Sequence, residues 1–322
     1  MTTATETPEL TEVTARRGVG AVDLLWLTWR QHRWTVASGV VLVLAIWGYI
    51  LWNESAINPQ AFAQCRERCF FLQAFGVMAD ERTAADIHIA LAGVFGLIIA
   101  VFWAAPLIAR EYEQRTNLLA WSQDVSARRW LFGKIVPLAV VATGMAALLG
   151  AMVVGEVNRL HGIESDFYPQ FTLLRFDASV PLQASVALFG FALGVAVSSV
   201  VRRVVPAMAV TALLFVGIRL GLTQLRFHYL PPVRLIGSVS QTPLPPNYTE
   251  VPMLVFGQID SAGNLVSRYD QGRTDIVGTY IDYQPLERLA PFRLIEAGIF
   301  LVLTVAAFAV LWIRMRRIGA LP

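Results

Sequence analysis

Six apolar runs, each close to the ~20 residues a bilayer crossing requires, limit what this chain can fold into. They occupy residues 34–52, 87–109, 135–155, 181–201, 205–225 and 292–313. Of the 322 residues, 56% are hydrophobic and only 15% are charged, against about 25% charged in soluble domains. The mean hydropathy is +0.55. These values predict an all-α polytopic membrane protein with six transmembrane helices.

Orientation follows from the bases flanking the runs, because short cytoplasmic loops collect Lys and Arg. One side holds Arg16, Arg17, Arg30, Arg33, Arg110, Arg115, Arg128, Arg129, Lys134, Arg202, Arg203, Arg314, Arg316 and Arg317. The other side's loops hold Arg66, Arg68, Arg82, Arg159 and Arg175. An even number of spans then puts both termini in the cytoplasm and the protein in the plasma membrane. The net charge of +3 does not point to nucleic acid, because the bases sit at run ends and form no groove-reading motif.

Four divisions follow. Residues 1–18 are Thr- and Glu-rich and read as a disordered tail. Residues 19–225 form a membrane domain, 226–291 a small extracellular domain with some β structure, and 292–322 the sixth span and a cytoplasmic tail. Within 226–291, prolines come first and strand-like runs follow at 253–259, 265–269 and 276–283. Before the first span, Val22, Leu25, Trp26 and Trp29 recur at helical spacing. That stripe predicts an N-terminal interfacial helix; the alternative is a simple extension of the first span. Pro106 lies inside the second run and predicts a kink there.

Enzymatic chemistry has little to stand on. There is no Gly-x-x-x-x-Gly-Lys-Ser/Thr phosphate cradle with which to use ATP, and no nucleophile elbow. The histidines at 32, 88, 161 and 228 lack metal-ligand spacing, so no metal site is expected. Cys65 and Cys69, the only cysteines, lie on the outer side. They are candidates for a local disulfide, with free thiols as the alternative. Arg219 near the outer end of the fifth run, with Glu156 as a possible partner, and Arg293 with Glu296 read as ion pairs stabilising span ends.

The charged block between the second and third runs carries both signs: Arg110, Glu111, Glu113, Arg115, Thr116 and Arg129, ending at Lys134. Glu111 and Arg115 are four apart, the favourable order for a helical ion pair. A solvated hairpin and a docking site explain this pattern equally well on spacing alone.

The order of several motifs adds to this. They are Arg110-Glu111, Glu113, Thr116, Leu119-Ala120-Trp121, Ser122-Gln123, Ser126, Arg129-Trp130 and Gly133-Lys134, with the segments 27–33, 283–288, 291–293 and 295–297. Together they resemble ABC type-2 exporter permeases, particularly the compact actinobacterial ones. Two departures bear on docking and gating: Arg115 stands where the family usually has glycine, and Leu289-Ala290 replace aromatic residues. The resemblance implies a permease subunit without enzymatic activity or cofactor of its own. It further implies two separate ATPase subunits that bind ATP and Mg, and a homodimer or a heterodimer with a related permease. The ATPases would dock on Arg110, Glu111, Glu113, Arg115, Thr116 and Arg129. Hydrophobic drugs, lipids, peptides and polyketide-like compounds all suit such a pathway. An ion-coupled secondary transporter and a non-transporting sensor or anchor are the competing readings.

Overall fold

The computed structural model describes residues 20–56, 71–114, 127–163, 171–172, 175–239, 243–246, 248, 250–269 and 275–318. The expected disordered tail, Cys65, Cys69, Arg115 and Thr116 lie outside the described residues.

All six runs are helices long and apolar enough to cross a membrane. The first span is α1 (Ala21–Ala56). The second is α2 (Phe71–Ile98), a π-helical turn at Ile99–Ala104, and α3 (Ala105–Glu113). The third is α4 (Ala127–Ile163), the fourth α5 (Val180–Val201), the fifth α6 (Val204–Leu225) and the sixth α7 (Leu289–Ile318). The chain therefore alternates between two ends of a bundle. One end carries the start of α1, the end of α7 and the connection after α3. The other carries the only sheet among the described residues.

The separate interfacial helix does not form. Residues 21–56 are one unbroken helix, because no glycine or proline interrupts residues 21–38. The Val22, Leu25, Trp26 and Trp29 stripe remains exposed on this extension of the span.

α5 is the axis of the fold. It packs against the second, third, fifth and sixth spans, and nearly every residue from Leu182 to Ser199 is buried. Gly190 and Gly194 allow the closest approach. A Cβ on Gly194 would fall 2.5 Å from the Ala100 carbonyl oxygen, and one on Gly190 would fall 2.7 Å from that of Gly96. Small residues four apart let helix backbones meet where lipid offers no hydrophobic driving force. The π turn lies at this contact and is fully helical on either side. Pro106 explains it: proline has no N–H to donate and its ring crowds the carbonyl four residues earlier. A wider turn accommodates both, so the kink expected at Pro106 is absorbed as a π turn.

The sheet comprises β1 (Val233–Ser238), β2 (Met253–Asp260), β3 (Leu265–Ser267) and β4 (Ile276–Tyr283). It is antiparallel in the order β1-β4-β2-β3. Three strands match the expected runs; β1 was missed because it directly follows Pro231-Pro232. Gln284 fastens the sheet to the bundle by donating to the carbonyls of Phe227 and Leu230, at 3.2 and 2.8 Å.

Candidate functional site

At the end bearing the start of α1, three polar contacts join four spans. Lys134 Nζ at the start of α4 donates to Glu111 Oε1 at the end of α3, 2.5 Å away. Both side chains are largely buried. Thr28 of α1 donates to the Gly133 carbonyl at 3.2 Å. Glu113 Oε1 accepts the Val204 N–H at 3.0 Å, capping the N-terminus of α6. A carboxylate there offsets the partial positive charge of the helix end.

Arg202, between α5 and α6, completes this end. It adopts a left-handed backbone conformation (φ 57°), and its guanidinium lies 5.1 Å from the centre of the Tyr112 ring.

These contacts divide the predicted docking residues. Glu111 turns its carboxylate inward onto Lys134, and Glu113, itself exposed, caps Val204. Arg110 and Arg129 are exposed. Glu111 thus has a partner in Lys134, across the two ends of the connection; the expected pair with Arg115 lies outside the described residues.

At the sheet end, buried ionic groups converge from three elements. Asp177 closes the short 3-10 turn before α5, Arg226 opens the turn after α6, and Glu296 lies in α7. Arg226 Nε and Nη2 donate to the two Glu296 oxygens at 2.9 and 3.0 Å. Its Nη2 also reaches Asp177 Oδ1 at 3.0 Å. Arg219 of α6 donates to Glu296 Oε1 at 3.3 Å and also bonds Asp177.

Phe176 lies under the Arg226 guanidinium, 3.7 Å from ring centre to charge. Two arginines and two carboxylates make this core formally neutral, which is how buried charge is tolerated. Tyr229 donates to Glu296 at 3.4 Å. Burial, and then the Glu296 charge, push its phenol above the ordinary value.

Here the sequence expectations need correction. Arg219 does not extend outward towards Glu156; it pairs inward. Glu156 instead bonds His88 Nδ1 at 2.7 and 2.9 Å, with Tyr49 edge-on to the imidazole. Arg293 does not pair with Glu296; it donates to the carbonyls of Phe176 and Arg175. Arg175 in turn forks onto Asp86. Asp177 and Arg226 were missed as partners. The available signal was Arg219 itself, since a guanidinium inside an apolar run demands acids from elsewhere in the chain.

The ABC-2 membrane transporter related family matches residues 36–226, more than half of the chain, from within the first span to the end of α6. The protein belongs to that family. No curated protein and no solved structure matches it significantly. An ABC-2 permease is a membrane transporter subunit. The matched region contains the whole 110–134 connection and the Arg219 and Arg226 side of the ion cluster, but stops before the sheet and α7. Among the described residues, no group of side chains could hold a metal ion.

Proposed function

We propose that this ABC-2 permease is the transmembrane subunit of an ATP-driven exporter, energised by two separate ATPase chains. The exposed face of the 110–134 connection, through Arg110 and Arg129, and the exposed stripe at the start of α1 are its docking surfaces. Arg115 and Thr116 belong to the same proposed surface. The termini and connection face the cytoplasm, the sheet faces outside, and a second permease, identical or related, completes the pathway.

The observation that carries this reading is the set of contacts at Lys134, Gly133 and Glu113. A displacement of the connection is passed directly to the first, second, third and fifth spans, because their ends are hydrogen-bonded to it or to one another. ATP drives such a motion only by binding one arrangement better than the other.

The test is reconstitution with a candidate ATPase. The permease alone hydrolyses no ATP, and the complex couples hydrolysis to transport. Arg110→Glu with Arg129→Glu lowers assembly and coupled turnover; unchanged coupling removes the docking assignment. An impermeant thiol reagent applied to intact cells does not label Ser122→Cys in the connection; labelling there overturns the orientation.

Ion-coupled transport is the second reading, and the buried His88–Glu156 pair is what favours it. Transport that followed a proton gradient in vesicles lacking any ATPase would replace the first reading with this one.

A further inference from the structure

A groove of about 780 Å³ runs between α4 and α7 on the half of the bundle nearer the start of α1. Phe132, Val136 and Val140 form one wall, Val305, Phe308 and Trp312 the other, and Leu188 of α5 the floor. Its volume is that of a ligand site, and its lining is almost wholly hydrocarbon. Thr143, at one end, is the only residue in the lining with a side-chain hydroxyl, so water has little to bond there, and an empty groove would forfeit dispersion contacts along both walls.

Length narrows the occupant. From Leu131 to Thr143 the helix rises about 18 Å, close to one leaflet, or half of the roughly 30 Å hydrocarbon core. The groove thus ends near mid-membrane, where Thr143 and Val305 close it. A helix from a second copy would call for a face running the full span.

Charge narrows it further. The α7 residues facing the groove recur at helical spacing, through Val305, Phe308, Trp312 and Met315. Arg316 follows one turn beyond Trp312 on the same stripe. It is exposed, with its guanidinium 5.2 Å from the centre of the Trp312 indole. A Trp–Arg pair at a helix end sits at headgroup depth. Neither wall helix has an acid in 127–155 or 299–318, whereas both carry several bases.

We propose that this groove binds one anionic diacyl phospholipid from the leaflet at the termini end, with its acyl chains between α4 and α7 and its phosphate on Arg316. Basic pockets between spans recognise anionic headgroups in this way. The site does not depend on how transport is energised.

The experiment is native mass spectrometry of the full-length protein in detergent, titrated separately with phosphatidylglycerol and phosphatidylcholine. Phosphatidylglycerol is retained preferentially by the unmodified protein. Arg316→Gln lowers that retention about fivefold, the effect of one basic contact with an anionic lipid, and Arg316→Lys restores most of it. Val136→Trp, which fills the groove from an exposed position, lowers retention of both lipids.

Equal retention of the two lipids overturns the proposal. So does an equal loss in Arg268→Gln, a charge control in the turn after β3, because binding would then be mere attraction to basic protein. A change of oligomeric state in Val136→Trp with lipid retention intact would assign the groove to a second copy instead. If Val136→Trp does not fold, the two Arg316 variants still decide the matter.

Discussion

Arg226 and Glu296, seventy residues apart in sequence, meet as a two-pronged pair at 2.9 and 3.0 Å with both side chains almost fully buried. The pair binds the sheet end of the fifth span to the start of the sixth. Asp177 adds the entrance of the fourth, so three helix ends share one electrostatic knot.

Breaking that knot on one side should be costly. Glu296→Ala leaves two buried guanidinium groups short of a partner and is expected to cost about 3–5 kcal/mol. Arg226→Met with Glu296→Leu removes both members and should cost less than the sum of the two single changes, with a coupling of about 0.5–3 kcal/mol. Thermal unfolding of the purified protein in detergent measures both. Additive losses would show that the pair is not energetically coupled.

The contact of α5 with the π turn makes a second prediction. Gly194→Ala forces a methyl group against the Ala100 carbonyl and is expected to destabilise the protein by about 1–3 kcal/mol. Gly144→Ala, whose new methyl group would meet nothing within 4 Å, should be neutral or slightly stabilising. Equal melting temperatures for the two variants would mean that α5 does not need glycine at 194.

Lys134 and Arg110 separate the holding of the connection from its proposed docking. Lys134→Met strands the Glu111 carboxylate and is expected to cost about 3 kcal/mol, the low end for a buried pair. Arg110→Glu is an exposed change and should alter stability by no more than about 0.5 kcal/mol. It should nevertheless lower ATPase-coupled transport. Melting curves and turnover, measured on the same preparations, give the two patterns.

Tyr229 supplies a pH dependence with a definite sign. Its folded-state phenol is held above the ordinary value of about 10. The folded protein therefore keeps a proton that the unfolded chain releases. This contribution is complete below about pH 10 and is lost as the pH rises through the folded-state value. Melting temperature should fall more steeply above about pH 10 in the parent than in Tyr229→Phe. Parallel profiles would mean that the burial and the Glu296 contact leave its titration unaltered.

The spans were legible because lipid sets a simple local condition. A stretch such as 181–201 has too few charges to lie in water, and its backbone can satisfy itself only as a helix. The π turn was half legible: Pro106 announced a distortion, but its form depended on the packing of α5. The strand at Val233–Ser238 was hidden by the prolines before it, since its pairing with Ile276–Tyr283 closes a long loop. At the connection, the contact of Glu111 with Lys134 was not legible, because spacing along one helix does not show what the next span brings alongside.

The sequence by itself determined how many long apolar helices this chain forms and roughly where they lie, because hydropathy and backbone self-satisfaction act within about twenty neighbouring residues. Only the tertiary structure decided which charge answers which. Arg219 could have been served by Glu156, Asp177 or Glu296 as far as composition goes. The choice depended on which helices α5 draws together, and on the rule that a charge taken out of water must find its counterpart within hydrogen-bonding distance.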